Sequence, residues 1–451
     1  MSLLSDMVLE TQVATIAYNT ATLIDTATGS YLLGADGNWY LSGGLPQHIV
    51  SVVGPNGTFK SSIMCGAVCR SASIYSDADV LWNDTEHSID KDKPRAMRMG
   101  EDLTDPTLVT RFKWVSGVTY QIDKFYNLLL ELCNKKAANL KEYTVESPFL
   151  DVETGKPLIV WKPTYIIIDS FTEFKSEAEA EMLEGDKHKD ISETNTAAMV
   201  DGNKKTVFTR AVKDLCIKYG IILIVTAHYD KVPNMGMFDI TPKDTTFGKQ
   251  DWKAKGVGSK IKFDASLYLR MTASPLKDEK RYGSDSGQSI DQFEVGVVIE
   301  RSKTACSGNI IPFVASQNTG LLNAVSNYNY LRVHNKYDGL VGSVQRQHLP
   351  VLPDVQVTRN TIKELTDSSY ELRRALEIAA QYCFIRNNWR IDSYPFDFSK
   401  PATAMLDALM SDKNKEAVSD ILNSRGYWTY VKNDRPYMSI FEIMKIAGLS
   451  K

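Results

Sequence analysis

The chain has 451 residues, of which 43% are hydrophobic and 24% are charged, and its net charge is −3. These values are ordinary for a globular protein and exclude a uniformly basic chain that would coat nucleic acid. No run of eighteen apolar residues is present, so we expect no membrane span. Scattered cysteines and the lack of a secretory signal favour the cytoplasm.

Strand and helix patterns alternate along the first three quarters of the chain. Residues 1–40 are predicted to form a short helix and a hairpin, and are interpreted as an oligomerisation arm. The elements predicted after them are strand 48–53, a helix from 61, strand 78–84, helix 120–140, a polar hairpin insertion at 141–163, strand 165–168, a charged loop at 171–205 that is mobile or partly helical, helix 206–219, strand 221–228, a loop at 229–262, and strands 265–271, 294–301 and 309–316.

This alternation is typical of an α/β fold with a mostly parallel central sheet that ends in antiparallel strands. We predict a core domain over residues 41–330. Residues 331–451 are predicted to form a small, mainly helical domain. Packing is its simplest role, and a contact with another subunit or with a partner molecule stays open.

A glycine-containing loop, GPNGTFKSS, joins strand 48–53 to the next helix. Such a loop turns backbone amides around phosphate oxygens, while a lysine reaches the outer phosphates and a hydroxyl ligates Mg²⁺. Lys60 and Ser61 are the candidates, and the helix points its positive end at the same phosphates. Phe59 departs from the pattern, which expects glycine there. The residues assigned to the ATP site are Gly54, Pro55, Asn56, Gly57, Thr58, Phe59, Lys60, Ser61 and Ser62.

Three polar residues at strand ends favour a phosphate site over an ordinary strand–turn–helix joint. Asp169 ends the apolar strand YIIID and would hold the water shell of Mg²⁺. Glu86 follows strand 78–84 and could activate the attacking water. His228 ends IILIVTAH and could touch the γ-phosphate. Separately they could be a turn aspartate, a solvated glutamate and a surface histidine; together they indicate an ATPase.

In order and chemistry these segments resemble the RecA family of recombinases over residues 40–325, and most closely its bacteriophage UvsX branch. GGLPQHIVSVVGPNGTFKSS resembles the stretch that enters the family's phosphate loop, and its FKS is similar to the UvsX variant. NDTEHSID, YIIIDS and IILIVTAH are similar to the segments with the catalytic glutamate, the magnesium site and the polar sensor. The resemblance implies a RecA-like P-loop ATPase core.

The resemblance also implies that part of the site belongs to a neighbouring subunit. IERSKTA resembles the motif whose basic residues reach the neighbour's ATP, so Arg301 and Lys303 are expected to act in trans. Asp90 is assigned to the nucleotide, although the tyrosine that follows it in the family is not evident and Lys93 stands near its place. The N-terminal segment lacks a clear RecA-like helix and linker, and the insertions at 141–163 and 171–205 enlarge regions that are compact in RecA.

The activity implied is a DNA-dependent ATPase that uses ATP and Mg²⁺. It would assemble on single-stranded DNA as a homo-oligomer, and promote pairing and strand exchange with double-stranded DNA in recombination and repair. A mediator or a single-strand-binding protein could be a further partner, and the location would be the host cytoplasm if the protein is phage-encoded. We expect no membrane partner.

Two loops that follow the magnesium and sensor strands face DNA in the family. The second falls at about 230–262, where lysines attract phosphates and aromatic rings stack on bases, although a solvated charged loop is the alternative. The first, 171–205, is acidic, and only Lys204 and Lys205 are expected to approach DNA. The residues assigned to DNA are Lys243, Phe247, Lys249, Trp252, Lys253, Lys255, Gly256, Gly258 and Lys260.

Two other classes remain open. A ring-forming replicative helicase shares this ATPase core, but no helicase-type N-terminal domain is recognisable. A non-catalytic, nucleotide-gated assembly protein would fit the altered Phe59, yet the retained lysine and carboxylates argue against it.

Overall fold

The computed structural model describes residues 13–86, 108–116, 121–151, 154–176, 191–231, 252–254, 261–277, 281–283 and 291–451. Its strands are β1 Ala17–Tyr18, β2 Ser30–Leu33, β3 Trp39–Ser42, β4 Leu45–Pro46, β5 Ile49–Gly54, β6 Asp79–Asp84, β7 Phe112–Ser116, β8 Thr144–Leu150, β9 Pro157–Trp161, β10 Thr164–Asp169, β11 Ile221–Lys231, β12 Trp252–Ala254, β13 Leu267–Pro275, β14 Gln292–Ser302, β15 Ile310–Ser316, β16 Gly320–Leu321, β17 Val341–Gly342, β18 Gln347–Leu349 and β19 Leu352–Val357.

The α-helices are α1 Leu23–Thr28, α2 Lys60–Ile74, α3 Leu108–Arg111, α4 Ile122–Ala138, α5 Leu140–Tyr143, α6 Ile191–Tyr219, α7 Ile261–Asp264, α8 Asn323–Asn329, α9 Ile362–Ser368, α10 Tyr370–Asn388, α11 Ala402–Leu409, α12 Lys415–Asn423 and α13 Ile440–Ile446. A π-helical turn, Tyr330–His334, follows α8, and a 3₁₀ turn, Ile391–Ser393, follows α10. No helix among the described residues is long and apolar enough to cross a membrane.

A large mixed sheet forms the centre of the molecule. Its strands lie in the order β16-β15-β14-β13-β5-β11-β10-β6-β7, and β12 pairs with β11. The strands from β13 to β7 are parallel to one another, and β14, β15 and β16 run antiparallel. The prediction of an α/β fold with a mostly parallel sheet that ends in antiparallel strands is therefore confirmed.

Both faces of the parallel strands are buried, which explains their nearly continuous apolar sequences. Successive side chains point to opposite faces, so Val50 and Val52 of β5 join one apolar cluster, which includes residues of α2. Ile49 and Val53 join a second cluster on the other face, with residues of α4 and α6. Helices therefore cover both faces of these strands, and the ends of the strands are the places that remain accessible.

Strand register brings the predicted polar residues to one edge of the sheet. Gly54 at the end of β5 pairs with His228 of β11, and Asp169 at the end of β10 pairs with Asp84 of β6. Because these strands are parallel, their carboxyl ends meet at the same edge, which is where ligands bind in open α/β sheets.

Helix α6 differs from the prediction. It begins at Ile191, within the stretch interpreted as a charged and partly helical loop, and continues to Tyr219. The first half lacks an apolar stripe, so periodicity could not reveal it. Polar contacts help to hold this helix in place, since Asp201 accepts a hydrogen bond from the Ser176 amide at 3.0 Å.

The predicted hairpin in the 141–163 insertion is present as the antiparallel pair β8 and β9. The 229–262 stretch is less loop-like than predicted. Strand β11 continues to Lys231, and the backbone of Trp252–Ala254 pairs with it as β12.

Helices near the C-terminus pack on the N-terminal segment. Trp428 lies 5.6 Å from Tyr18 and 5.3 Å from Tyr75, measured between ring centroids. Gln381 Nε2 donates to the Tyr31 hydroxyl at 3.1 Å. The same apolar cluster extends from β5 to α13. The domain boundaries at 40 and 330 stay a prediction, and across the second of them the core is continuous.

Candidate functional site

The loop between β5 and α2, residues 54–60, is called the glycine loop here. Gly57 has a φ of +73°, where a side chain would be strained. Phe59 has a φ of 61° and a ψ of 24°, in the left-handed region that favours glycine. Its ring lies 4.7 Å from the ring of Phe293 on β14. The glycine expected before the lysine is thus replaced by a residue that keeps the left-handed backbone and packs its side chain.

Lys60, the first residue of α2, points back into the glycine loop. Its Nζ donates to the carbonyl oxygens of Gly54 at 3.1 Å and Pro55 at 3.0 Å. Burial lowers the pKa of the ammonium group, while the nearby Glu86 and Asp169 carboxylates raise it. A buried cation that holds only neutral carbonyls is suited to exchange them for phosphate oxygens.

Asp169 is buried at the end of β10. The Thr226 hydroxyl donates to its Oδ1 at 2.5 Å. Burial raises the pKa of this carboxyl, and the hydroxyl groups of Thr226 and Ser61 lower it. The other oxygen, Oδ2, is buried without a hydrogen bond of regular geometry in the described part of the chain.

These residues fit Mg²⁺. The ion prefers oxygen ligands, and in nucleotide sites it takes one or two from the protein and the rest from phosphates and water. The Ser61 hydroxyl and the Asp169 Oδ2 would supply such ligands. No group of three or more His, Cys, Asp or Glu side chains suited to a metal occurs among the described residues.

Glu86 and His228 form a close pair across the cleft. Glu86 Oε1 lies 2.5 Å from His228 Nε2, and both side chains are 23% exposed. The hydrogen bond with His228 lowers the pKa of the Glu86 carboxyl against the opposing effect of burial. The carboxylate is therefore ionised at neutral pH, as a general base must be.

Together these residues line one cleft of about 810 Å³, open at the carboxyl edge of the sheet. The structure brings together most of the glycine loop, Glu86, Asp169 and His228, as predicted. Sequence reasoning missed Phe293, Gln317 and Asn318. The lining residues are Asn56, Gly57, Thr58, Phe59, Lys60, Ser61, Ser62, Glu86, Asp169, His228, Phe293, Gln317 and Asn318.

The missed residues come from the antiparallel end of the sheet. Phe293 lies on β14, which pairs with β15, and the amides of Gln317 and Asn318 are held by Asp291 at 2.9 Å and 3.3 Å. The only sequence signal was a polar pair after the apolar strand IIPFVAS. It could not be connected to the glycine loop without the sheet order.

Arg301 and Lys303 do not reach this cleft in the same chain. Arg301 pairs with Tyr268, which pairs with Ser51 near the start of β5. Its Nη1 donates to the Lys262 carbonyl at 2.6 Å, and the Lys303 amide donates to Ser266. Both residues lie toward the amino end of β5, and the cleft is at its carboxyl end.

Burial, Arg301 and Lys213 lower the pKa of the Lys303 ammonium. This basic group therefore lies away from the chain's own cleft.

Most residues assigned to DNA lie outside the described residues, as does Asp90. For Trp252 and Lys253 the structure gives only the backbone, on β12. The prediction for Lys205 is wrong, because its side chain is 2% exposed and paired with Asp201. Lys204 is 38% exposed and lies 3.4 Å from Asp123. The residues assigned to DNA that lie outside the described residues are Lys243, Phe247, Lys249, Lys255, Gly256, Gly258 and Lys260.

No protein-family model and no curated protein matches this chain. Among solved structures it is similar to one described as the crystal structure of the RadB recombinase, with 14% identity and a TM-score of 0.34. The match covers 62% of this chain and 92% of that chain. At this distance the likeness carries no argument about function, which depends on the cleft.

Proposed function

We propose that this protein is an ATPase of the RecA-like recombinase type, which assembles on single-stranded DNA and promotes homologous pairing and strand exchange. One observation carries the proposal, which is that four side chains lie around a single cleft. They are Lys60 at the start of α2, Asp169 at the end of β10, His228 on β11 and Glu86 just beyond β6. Lysine, hydroxyl, carboxylate and a base are the groups that phosphoryl transfer requires.

The glycine loop would bind the phosphates of ATP. Its backbone amides and the start of α2 present positive partial charge to the phosphate oxygens. Lys60 Nζ would leave the Gly54 and Pro55 carbonyls and donate to the outer phosphates. When bound at Ser61 and Asp169, Mg²⁺ supplies neutralisation of the charge that develops on those phosphates.

Glu86 would accept a proton from the attacking water through its carboxylate. His228 holds that carboxylate by the 2.5 Å contact. This hydrogen bond lowers the pKa of the Glu86 carboxyl, so His228 keeps the base ionised and in place.

The second half of the site would come from a neighbouring subunit. Arg301 and Lys303 lie toward the opposite edge of the sheet from the cleft, so a head-to-tail contact would present them to the next cleft. A heterologous contact of this kind generates a filament or a ring. ATP would then stabilise the assembly that grips DNA, and hydrolysis would release it.

The test combines turnover and imaging of the full chain. We expect ATP hydrolysis that single-stranded DNA stimulates, helical filaments on single-stranded DNA with an ATP analogue by negative-stain microscopy, and strand exchange between homologous DNAs. No hydrolysis under any condition would contradict the ATPase assignment. Closed hexamers that unwind duplex DNA would favour the assignment as a helicase over that as a recombinase.

A further inference from the structure

A buried ion pair on α6 lies behind the cleft, outside the residues that line it. Lys205 Nζ and Asp201 Oδ2 are 2.9 Å apart, and the side chains are 2% and 8% exposed. Both residues also hold the segment that follows Asp169. Nζ donates to the Thr172 carbonyl at 3.0 Å, and Asp201 Oδ1 accepts from the Ser176 amide at 3.0 Å.

Because it is buried, the Lys205–Asp201 pair affects stability differently from the ion pair that Lys204 forms on the same helix. The Lys204–Asp123 pair is 3.4 Å long and its side chains are 38% and 46% exposed, and pairs so accessible to solvent contribute little. For the buried pair, loss of one partner leaves the other charge desolvated and uncompensated. Asp201 and Lys205 therefore fix where residues 170–176 sit against α6.

The held segment contacts the cleft through Thr172. The Thr172 Oγ1 accepts a hydrogen bond from the His228 amide at 3.3 Å. One residue earlier, the Phe171 amide donates to the Thr226 carbonyl at 2.7 Å. These two bonds hold the part of β11 whose histidine lies against Glu86.

We propose that Lys205 and Asp201 are positioning residues that hold Thr172 in place and thereby keep the His228 ring against the Glu86 carboxylate. The kinetic consequence rests on the proposed ATPase function, and the structural consequence does not. The pair touches neither the glycine loop nor the magnesium ligands, so it acts on the step that uses Glu86 more than on nucleotide binding.

The structural consequence is tested by hydrogen–deuterium exchange of the full chain with the substitution K205M. We expect faster exchange at residues 170–176 and at His228, because the Thr172 carbonyl loses its donor and Asp201 loses its partner. K218M is the matched control, since Lys218 is an exposed lysine of the same helix, and it should leave these amides unchanged. Unchanged exchange in K205M would overturn the proposal.

The kinetic consequence is tested by the steady-state kinetics of ATP hydrolysis. In K205M we expect kcat to fall about tenfold or more, with KM for ATP within about twofold, because small displacements of reacting groups cost that much. An unchanged kcat, or a KM that rises as much as kcat falls, would contradict the proposal.

A second variant covers the case in which K205M does not fold. T172V removes the hydroxyl that His228 contacts and leaves the Lys205–Asp201 pair intact. It should lower kcat as K205M does, with KM for ATP again within about twofold, yet keep the Ser176 amide protected. An unchanged kcat in T172V would overturn the link to Glu86. If the wild-type chain hydrolyses no ATP, the proposed function fails, and the exchange experiment still decides whether the pair positions the segment.

Discussion

At the scale of single residues, Phe59 shows how a loop keeps its shape without the usual glycine. The left-handed backbone costs a residue with a Cβ roughly 1–2 kcal/mol. The contact between the rings of Phe59 and Phe293, 4.7 Å apart, is the kind that contributes about 0.5–1.5 kcal/mol beyond buried area. The contact offsets much of the strain, and it connects the loop to the antiparallel strands.

Lys60 is the first residue to test. We expect K60A to abolish ATP hydrolysis, because the ammonium group that lies among the Gly54 and Pro55 carbonyls is lost. Steady-state phosphate release measures this. K413A, at an exposed lysine in the C-terminal region, is the control and should turn over normally. Full turnover in K60A would mean that the glycine loop is not part of the active site.

The pH dependence of hydrolysis tests the Glu86–His228 pair. The hydrogen bond holds the pKa of Glu86 below its usual value, so the base form persists as the pH falls and activity is lost only through the lowered pKa. In H228A the pKa should rise, and the acid limb of kcat/KM should move to higher pH.

H228Q is the matched variant, because its amide can still donate to the carboxylate. We expect its acid limb to stay near that of the wild-type protein. An unmoved limb in H228A would mean that Glu86 is not the base whose titration limits the rate.

At the scale of elements, β14 connects two edges of the sheet. Phe293 near its start lines the cleft, and Arg301 near its end pairs with Tyr268 toward the opposite edge. One strand thus contributes to the chain's own cleft and carries, toward its other end, the basic residue that we propose to act on another subunit.

A mixing experiment separates action in trans from a local structural effect. R301A should fold but show reduced DNA-stimulated hydrolysis. When R301A and K60A are mixed, some junctions join an intact glycine loop to an intact Arg301, and random head-to-tail assembly makes about a quarter of junctions of this kind. We expect hydrolysis to reappear in the mixture.

As the control, each variant is assayed alone at the same total protein concentration as the mixture. If the mixture has no more activity than their average, Arg301 does not act on the neighbouring cleft. Unchanged DNA stimulation in R301A would also argue against a site shared between subunits.

At the scale of the whole molecule, the C-terminal helices are part of the core that supports the cleft. Trp428 is 2% exposed and contacts the rings of Tyr18, Tyr75 and Phe149. The Tyr75 hydroxyl, just after α2, donates to the Trp428 carbonyl at 3.0 Å. The helix that begins with Lys60 is therefore held from behind by the C-terminal part of the chain.

We expect W428A to destabilise the protein by about 3–5 kcal/mol, the usual cost of removing a large buried aromatic side chain. Nucleotide binding and far-UV circular dichroism should be lost together on heating, because the cavity lies between α2 and the C-terminal helices. V344A, at a side chain that is 64% exposed, should melt as the wild type does. Loss of the C-terminal helices alone, with binding intact, would contradict a shared core.

The sequence by itself determined the α/β class, the order of the strands along the chain, and the candidates Lys60, Ser61, Glu86, Asp169 and His228. These are readable because buried parallel strands are locally apolar and the polar residues follow directly at their ends. The same local rule missed the first half of α6, whose contacts include hydrogen bonds and ion pairs with distant residues.

Only the tertiary structure decided which residues share the cleft. Phe293, Gln317 and Asn318 enter it because β14 and β15 lie beside β13 in the sheet, a neighbourhood that no local pattern encodes. The burial of Lys205 was hidden for the same reason, since a lysine in an acidic stretch gives no sign of a partner four residues earlier and a carbonyl thirty-three residues away. Strand ends are set by local composition, and the groups that meet at them are set by long-range packing.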